Sequence, residues 1–269
     1  MTTTSPSELG PPGVGPSADV EVFFPDLDGD LRLDQDEEWC EALIDGQRTR
    51  IRFHDYHLLY DIPGMYERIF YDMLRCTSPS VVSNLIARVL TEQEMDPAQL
   101  RVLDVGAGNG MVGEKVRALG AGAIHGIDII KEAAAAARRD RPEAYDDYLV
   151  ADLTDLTPEQ RDALLAADLN TMTTVAALGF GDIPPAAFTG AFNLISTPGL
   201  LAFTIKEDFV SADDPSGFSQ LIQRMFAEKV IVPLAEEHYQ HRLSIRGEPL
   251  YYVAFVARKL RDLPLDWLG

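Results

Sequence analysis

Residues 101–114 read Arg101-Val102-Leu103-Asp104-Val105-Gly106-Ala107-Gly108-Asn109-Gly110-Met111-Val112-Gly113-Glu114. The stretch begins as a short apolar β-run, Val102 to Val105. It turns through Gly106, Gly108 and Gly110 and continues as a helical pattern from Met111 to Leu119. A strand, a glycine turn and a helix in that order bring backbone close to a nucleotide-like ligand. Glycine suits the turn because a side chain there would block the ligand or forbid the dihedrals.

Gly108 to Gly113 fits G-x-G-x-x-G, the dinucleotide fingerprint, and three glycines at that spacing also arise in a tight turn that binds nothing. Asp104 discriminates. A carboxylate beside a pyrophosphate would be repelled, whereas a sulfonium ligand bearing an amino group is cationic at its reactive end and welcomes an acid. Asp104-Val105-Gly106-Ala107-Gly108-Asn109-Gly110 resembles motif I (D-x-G-x-G-x-G) of the class I S-adenosylmethionine-dependent methyltransferases. The resemblance extends over about residues 99–260. It implies an α/β, Rossmann-like sheet of seven strands, mostly parallel with an antiparallel C-terminal hairpin, helices on both faces and a small N-terminal lid.

The chain has 269 residues, 46% of them hydrophobic, enough for one large domain or a core with an appendage. The net charge of −20 argues against nucleic acid or anionic membrane as a partner. Cys40 and Cys76 are isolated, so neither a zinc site nor a disulfide framework is expected. No long apolar run and no leader pattern is seen, and the expectation is a soluble cytoplasmic protein with no metal. A homodimer is left open.

Residues 1–18, rich in Thr, Ser, Pro and Gly, read as a disordered tail. The acids from Asp26 to Glu37 have a spacing close to that of a calcium loop. Leu31 stands where the turn glycine belongs, so an acidic solvated loop is the better reading. Residues 19–98 read as a lid: a hairpin of Glu38 to Ile44 and Arg48 to Phe53 around Asp45-Gly46, then aromatic helical stretches, then a helix from Ser80 to Leu90 capped by Thr77 or Ser78.

From residue 99 to 269, strands and helices alternate regularly. Strands are expected at Val102 to Val105, Ala123 to Ile127, Asp147 to Val150, Leu169 to Val175 and Gly199 to Ile205. Helices are expected after each, one of them started by Thr157-Pro158. The pattern closes with a hairpin of Tyr239 to Ile245 and Leu250 to Lys259, an antiparallel addition that a plain dinucleotide fold lacks.

Several roles follow from the resemblance. Gly106, Ala107, Gly108 and Gly110 supply close backbone, and Asp104 faces the cationic end of S-adenosylmethionine. Asp128, 24 residues after Asp104, accepts both ribose hydroxyls, and Ile129 packs on the adenine edge. Asp152 accepts from the adenine amino group, Leu153 lies on the ring, and Thr173 meets the methionine part. Small-molecule members carry a Tyr-Asp pair and a later proline. Both Tyr60-Asp61 and Tyr71-Asp72 fit before Pro79, so the gating tyrosine stays open, with Tyr71 placed on the cofactor side. Arg242, Ser244, Gly247 and Tyr252 match the family's hairpin. Tyr56, Tyr60 and Phe180 are the candidate acceptor contacts, each with packing as an equal alternative.

Methyl transfer is an in-line substitution in which the protein mainly positions the nucleophile. His54 and Glu207 are the candidate bases for removing its proton. The apolar, glycine-bearing loop Ala176 to Pro184 suggests a hydrophobic or mixed small-molecule acceptor, methylated on oxygen or nitrogen. A basic protein segment is the alternative acceptor, and a non-catalytic partner subunit the alternative role.

Overall fold

A computed structural model describes residues 20–26, 33–179, 181–207 and 217–268. Five parallel strands, β4 (Arg101–Val105), β5 (Ala123–Asp128), β6 (Asp147–Val150), β7 (Thr171–Thr174) and β8 (Gly199–Lys206), are joined by β9 (Ile231–Leu243) and β10 (Pro249–Lys259). The sheet order is β6-β5-β4-β7-β8-β10-β9, and β10 runs antiparallel to both of its neighbours. This is the expected architecture. Strand order reverses between β4 and β7, which opens a crevice beyond their carboxyl ends.

Alternation along the strands feeds two apolar layers. Leu103 and Val105 of β4 join Phe188, Phe192, Phe203 and Met225 on one face. Val102 joins Val82, Ile86, Ile124 and Ala202 on the other. The first layer is covered by α6 (Pro158–Ala166), α7 (Pro185–Leu194) and α8 (Phe218–Ala227), the second by α3 (Ser78–Glu92) and α4 (Met111–Ala118). The predicted start of α6 is a full capping box: Thr157 accepts from the Gln160 amide, and the Gln160 side chain accepts from the Thr157 amide. Such a cap contributes about 1 kcal/mol. Thr157 is thus a side-chain cap, whereas Thr77, the N-cap of α3, gives its hydroxyl to the Gln240 carbonyl instead.

The lid begins with a three-stranded sheet, β1 (Val22–Phe23), β2 (Trp39–Ile44) and β3 (Gln47–Arg52). Asp45 and Gly46 both take positive φ at the expected turn. Then come α1 (Tyr56–Asp61), α2 (Met65–Glu67) and a π-helical turn at Arg68–Met73. A small core of its own, including Cys40, Phe53, Leu59, Met65 and Ile69, holds this segment together.

Two buried polar links fix the lid to the large sheet. Arg242 of β9 pairs with Glu38 at 2.6 Å, and Glu38 also accepts from the Ile245 amide. Arg141 donates to Glu67 at 2.8 Å, and Glu67 accepts from the Asn109 amide group at 2.7 Å. The second link ties the lid to the glycine turn itself. Among the described residues no helix is long and apolar enough to cross a membrane. Residues 1–18 and residues 27–32 of the acidic stretch lie outside the described residues, as does Phe180.

Candidate active site

The glycine turn is built by tertiary contacts as much as by its own dihedrals. The Gly106 and Ala107 amides both donate to the Ile127 carbonyl, which pins the turn to β5. Tyr145 and Tyr148 support it from below. The Tyr145 hydroxyl donates to Asp104, and the Tyr148 hydroxyl donates to the Gly108 carbonyl at 2.8 Å. The glycines make room for these rings: a Cβ on Gly113 would lie 2.5 Å from the Tyr145 ring, and one on Gly108 would lie 2.6 Å from the Tyr60 hydroxyl.

Two adjoining chambers open at the carboxyl ends of β4, β5 and β7. The outer one, about 270 Å³, is bordered by Asp128, Ile129, Asp152 and Leu153 on one side and by Ala177, Asp182 and Ile183 on the other. The inner one, about 70 Å³, is bordered by Gly106, Ala107, Gly108 and Asn109, and by Tyr71, Cys76, His241 and Arg242 from the lid and hairpin. His54, Tyr56, Tyr60, Tyr66, Gly106, Val175 and Ala176 border both.

Asp128 sits at the end of β5 with its carboxylate held by backbone. One oxygen accepts from the Gly108 amide and the other from the Ile130 amide, each at 2.9 Å. Each oxygen keeps a second lone pair for a further donor. Burial nonetheless raises this carboxyl above its ordinary value. Asp152 stands on the exposed rim, where the Thr154 hydroxyl and amide hold its carboxyl below the ordinary range. Ile129 is an exposed apolar group of the cleft, at 62%, as an open ring-stacking surface requires.

Tyrosines form the wall between the chambers. Tyr56 stacks on Tyr60 with centroids 6.1 Å apart, and Tyr60 meets Tyr66 at 5.0 Å. Burial raises all three hydroxyls above the usual tyrosine range, so they stay protonated. The Arg139 guanidinium donates to the Tyr60 carbonyl and holds α1 against α5 (Lys131–Asp140). Of the two Tyr-Asp pairs, Tyr60-Asp61 is the one over the glycine turn; Tyr71 borders only the inner chamber. In the inner chamber His241 is kept neutral by burial and by the neighbouring Arg242, and its Nδ1 pairs with the Ser78 hydroxyl at 2.7 Å.

Four of the candidate residues lie away from both chambers. Asp104 borders neither chamber. It is 1% exposed, and its two oxygens accept from the hydroxyls of Thr173 (2.6 Å) and Tyr145 (2.7 Å). Its carboxylate therefore buttresses the turn from below and faces neither chamber. Thr173 is likewise sealed in, spent on Asp104. Gly110 borders neither chamber and serves as the left-handed N-cap of α4, with φ of 90°. Glu207 is exposed beside His238, 3.9 Å away, and lines neither chamber.

His54 does line the cleft, with Nδ1 3.2 Å from both carboxylate oxygens of Asp182. Asp182, Tyr145 and Tyr148 were not legible as site residues, because their partners lie far away in sequence. The hairpin residues have structural roles: the Ser244 hydroxyl accepts from the Arg246 and Glu248 amides, Gly247 has φ of 80°, and the Tyr252 hydroxyl accepts from Gln35.

The glycine turn and the β5 acid fall within one sequence match: residues 103–182 fit the family described as "Methyltransferase domain". The chain carries a class I methyltransferase domain. Its cofactor is S-adenosylmethionine, and the chamber residues fit that molecule: a carboxylate on backbone amides for a diol, an open apolar surface for a ring, and a narrow glycine-floored recess for an amino-acid end.

Among solved structures, the methyltransferase is similar to an S-adenosylmethionine-dependent methyltransferase from Clostridium acetobutylicum. They share 10% identity at a TM-score of 0.51, over 73% of this chain and 97% of that one. An S-adenosylmethionine-dependent methyltransferase from Anabaena variabilis follows, with 13% identity and a TM-score of 0.49 over 78% and 96%. Magnesium protoporphyrin IX methyltransferase from Synechocystis has 14% identity and a TM-score of 0.47 over 67% and 79%. The comparison with curated proteins finds no match.

Proposed function

We propose that this methyltransferase moves the methyl group of S-adenosylmethionine to an oxygen or nitrogen of a small molecule. The observation that carries the reading is the pair of chambers meeting at an aromatic wall. The outer chamber, with Asp128, Ile129, Asp152 and Leu153, suits the adenosine part; the inner one, beside Gly106, Ala107 and Gly108, suits the amino-acid end. The sulfonium then falls at the junction, among Tyr56, Tyr60 and Tyr66, whose ring faces attract a cation. An acceptor has to reach the same junction.

The lid, fixed through Arg139, Arg141 and Arg242, favours a compact acceptor over a chain held on a folded surface. The net charge of −20 supports no nucleic-acid role. Two unpaired cysteines fit a reducing cytoplasm.

The test is incubation with methyl-labelled S-adenosylmethionine and a panel of small phenols, alcohols and amines, read by mass spectrometry. A labelled small product supports the proposal. Label found only on added basic peptides would replace it with the protein-acceptor reading.

A further inference from the structure

One pair at the chamber junction is not explained by cofactor binding. His54 follows β3 in the lid, and Asp182 lies in the loop after β7. The His54 Nδ1 is 3.2 Å from each oxygen of Asp182, and both residues line the outer chamber. We propose that Asp182 positions His54 as the proton acceptor for a neutral phenolic hydroxyl, which makes small phenols the acceptor class. This inference rests on the methyltransferase reading above.

The argument has three parts. First, a carboxylate on Nδ1 fixes the imidazole with its proton there, so proton acceptance falls to Nε2, and the same carboxylate stabilises the imidazolium that results. Second, the charged groups of the outer chamber, His54 aside, are Asp128, Asp152 and Asp182, with no lysine or arginine. These acids repel a carboxylate-bearing acceptor and hold an amine as its non-nucleophilic ammonium. A neutral hydroxyl escapes both effects. Third, the junction walls are aromatic, with Tyr56, Tyr60 and Tyr66 continuing to Phe70 at 4.6 Å from Tyr66, a surface that suits a flat ring.

The step balances. The phenol O–H bond breaks, its proton goes to Nε2 of His54, and the oxygen forms a bond to the methyl carbon. The carbon–sulfur bond breaks, and its electron pair stays on sulfur, leaving a neutral thioether and a methyl ether. The imidazolium later returns its proton to solvent.

The experiment compares wild type with Asp182→Ala, Asp182→Asn and His54→Gln. Two acceptors are used at a mildly alkaline pH: phenol, which stays protonated, and 4-nitrophenol, which is already ionised. Titration with S-adenosylhomocysteine checks each preparation. The expected result is a loss of roughly 10²–10⁴-fold on phenol for Asp182→Ala and His54→Gln, with no comparable loss on 4-nitrophenol and with S-adenosylhomocysteine binding retained. Asp182→Asn, which keeps the hydrogen bond without the charge, should fall between. A merely structural tie between lid and loop would lower both acceptors equally, and that result overturns the proposal. So does a wild-type protein that binds S-adenosylhomocysteine and methylates neither phenol. Failure to bind S-adenosylhomocysteine at all would instead overturn the underlying methyltransferase reading.

Discussion

Asp104 → Asn is the perturbation whose size the structure fixes best. Burial pushes the Asp104 carboxyl from its ordinary 3.8 up to about 6, partly offset by the Thr173 and Tyr145 hydroxyls. The folded protein therefore holds this proton more tightly than the unfolded chain does. Raising the pH through that interval removes stability, because the folded state must give up a proton that the unfolded state has already lost. At about 1.4 kcal/mol per pH unit, the loss between pH 3.8 and about 6 amounts to about 3 kcal/mol. Asparagine has the same shape and no titration. Its carbonyl accepts from one hydroxyl, and its amide donates to the oxygen of the other.

Other carboxylates titrate over the same range in both proteins, so the informative quantity is the difference between them. Urea unfolding followed by circular dichroism, from about pH 4 to about pH 7, should show the variant gaining about 2.4 kcal/mol of this on wild type as pH rises, with most of the change below about pH 6. A difference that stays constant with pH would refute the reasoning, because it would mean that Asp104 is not a desolvated, titrating acid.

Three further outcomes are expected. Asp128→Ala should weaken S-adenosylhomocysteine binding by about 1.5–3 kcal/mol in calorimetry, since it removes a charged acceptor. Gly108→Ala, at a φ of 54° and with a Cβ 2.6 Å from the Tyr60 hydroxyl, should cost about 1–2 kcal/mol in thermal unfolding and lower cofactor affinity as Tyr60 is displaced. Glu67→Ala should cost about 3–5 kcal/mol in urea unfolding, because it strips the buried Arg141 of its closest carboxylate and Asn109 of its acceptor.

The fold was legible because its strands alternate and its turns carry their own chemistry. Val102 to Val105, Asp147 to Val150 and the Asp45-Gly46 hairpin were readable locally. The expected strand from Tyr239 to Ile245 begins at Ile231 instead. Pro233, Glu236 and Glu237 hide its first half, and they are tolerable because β9 is an edge strand with one unpaired side.

Gly106 to Gly108 and Asp128, each read from a single chain segment, do border the two chambers. Legibility ended where partners meet across the fold. His54 and Asp182 are 128 residues apart, and Tyr145 reaches Asp104 over 41. The Asp104 case shows why position alone misled: the acid ends the right strand, but the pleat turns its carboxylate into the protein, where two hydroxyls meet it.

The most direct measurement is calorimetric titration of the purified protein with S-adenosylhomocysteine and, separately, with NADH. Micromolar binding of the first and none of the second is the predicted result. Binding of NADH with no response to S-adenosylhomocysteine would contradict the assignment of Asp128 and the two chambers to S-adenosylmethionine.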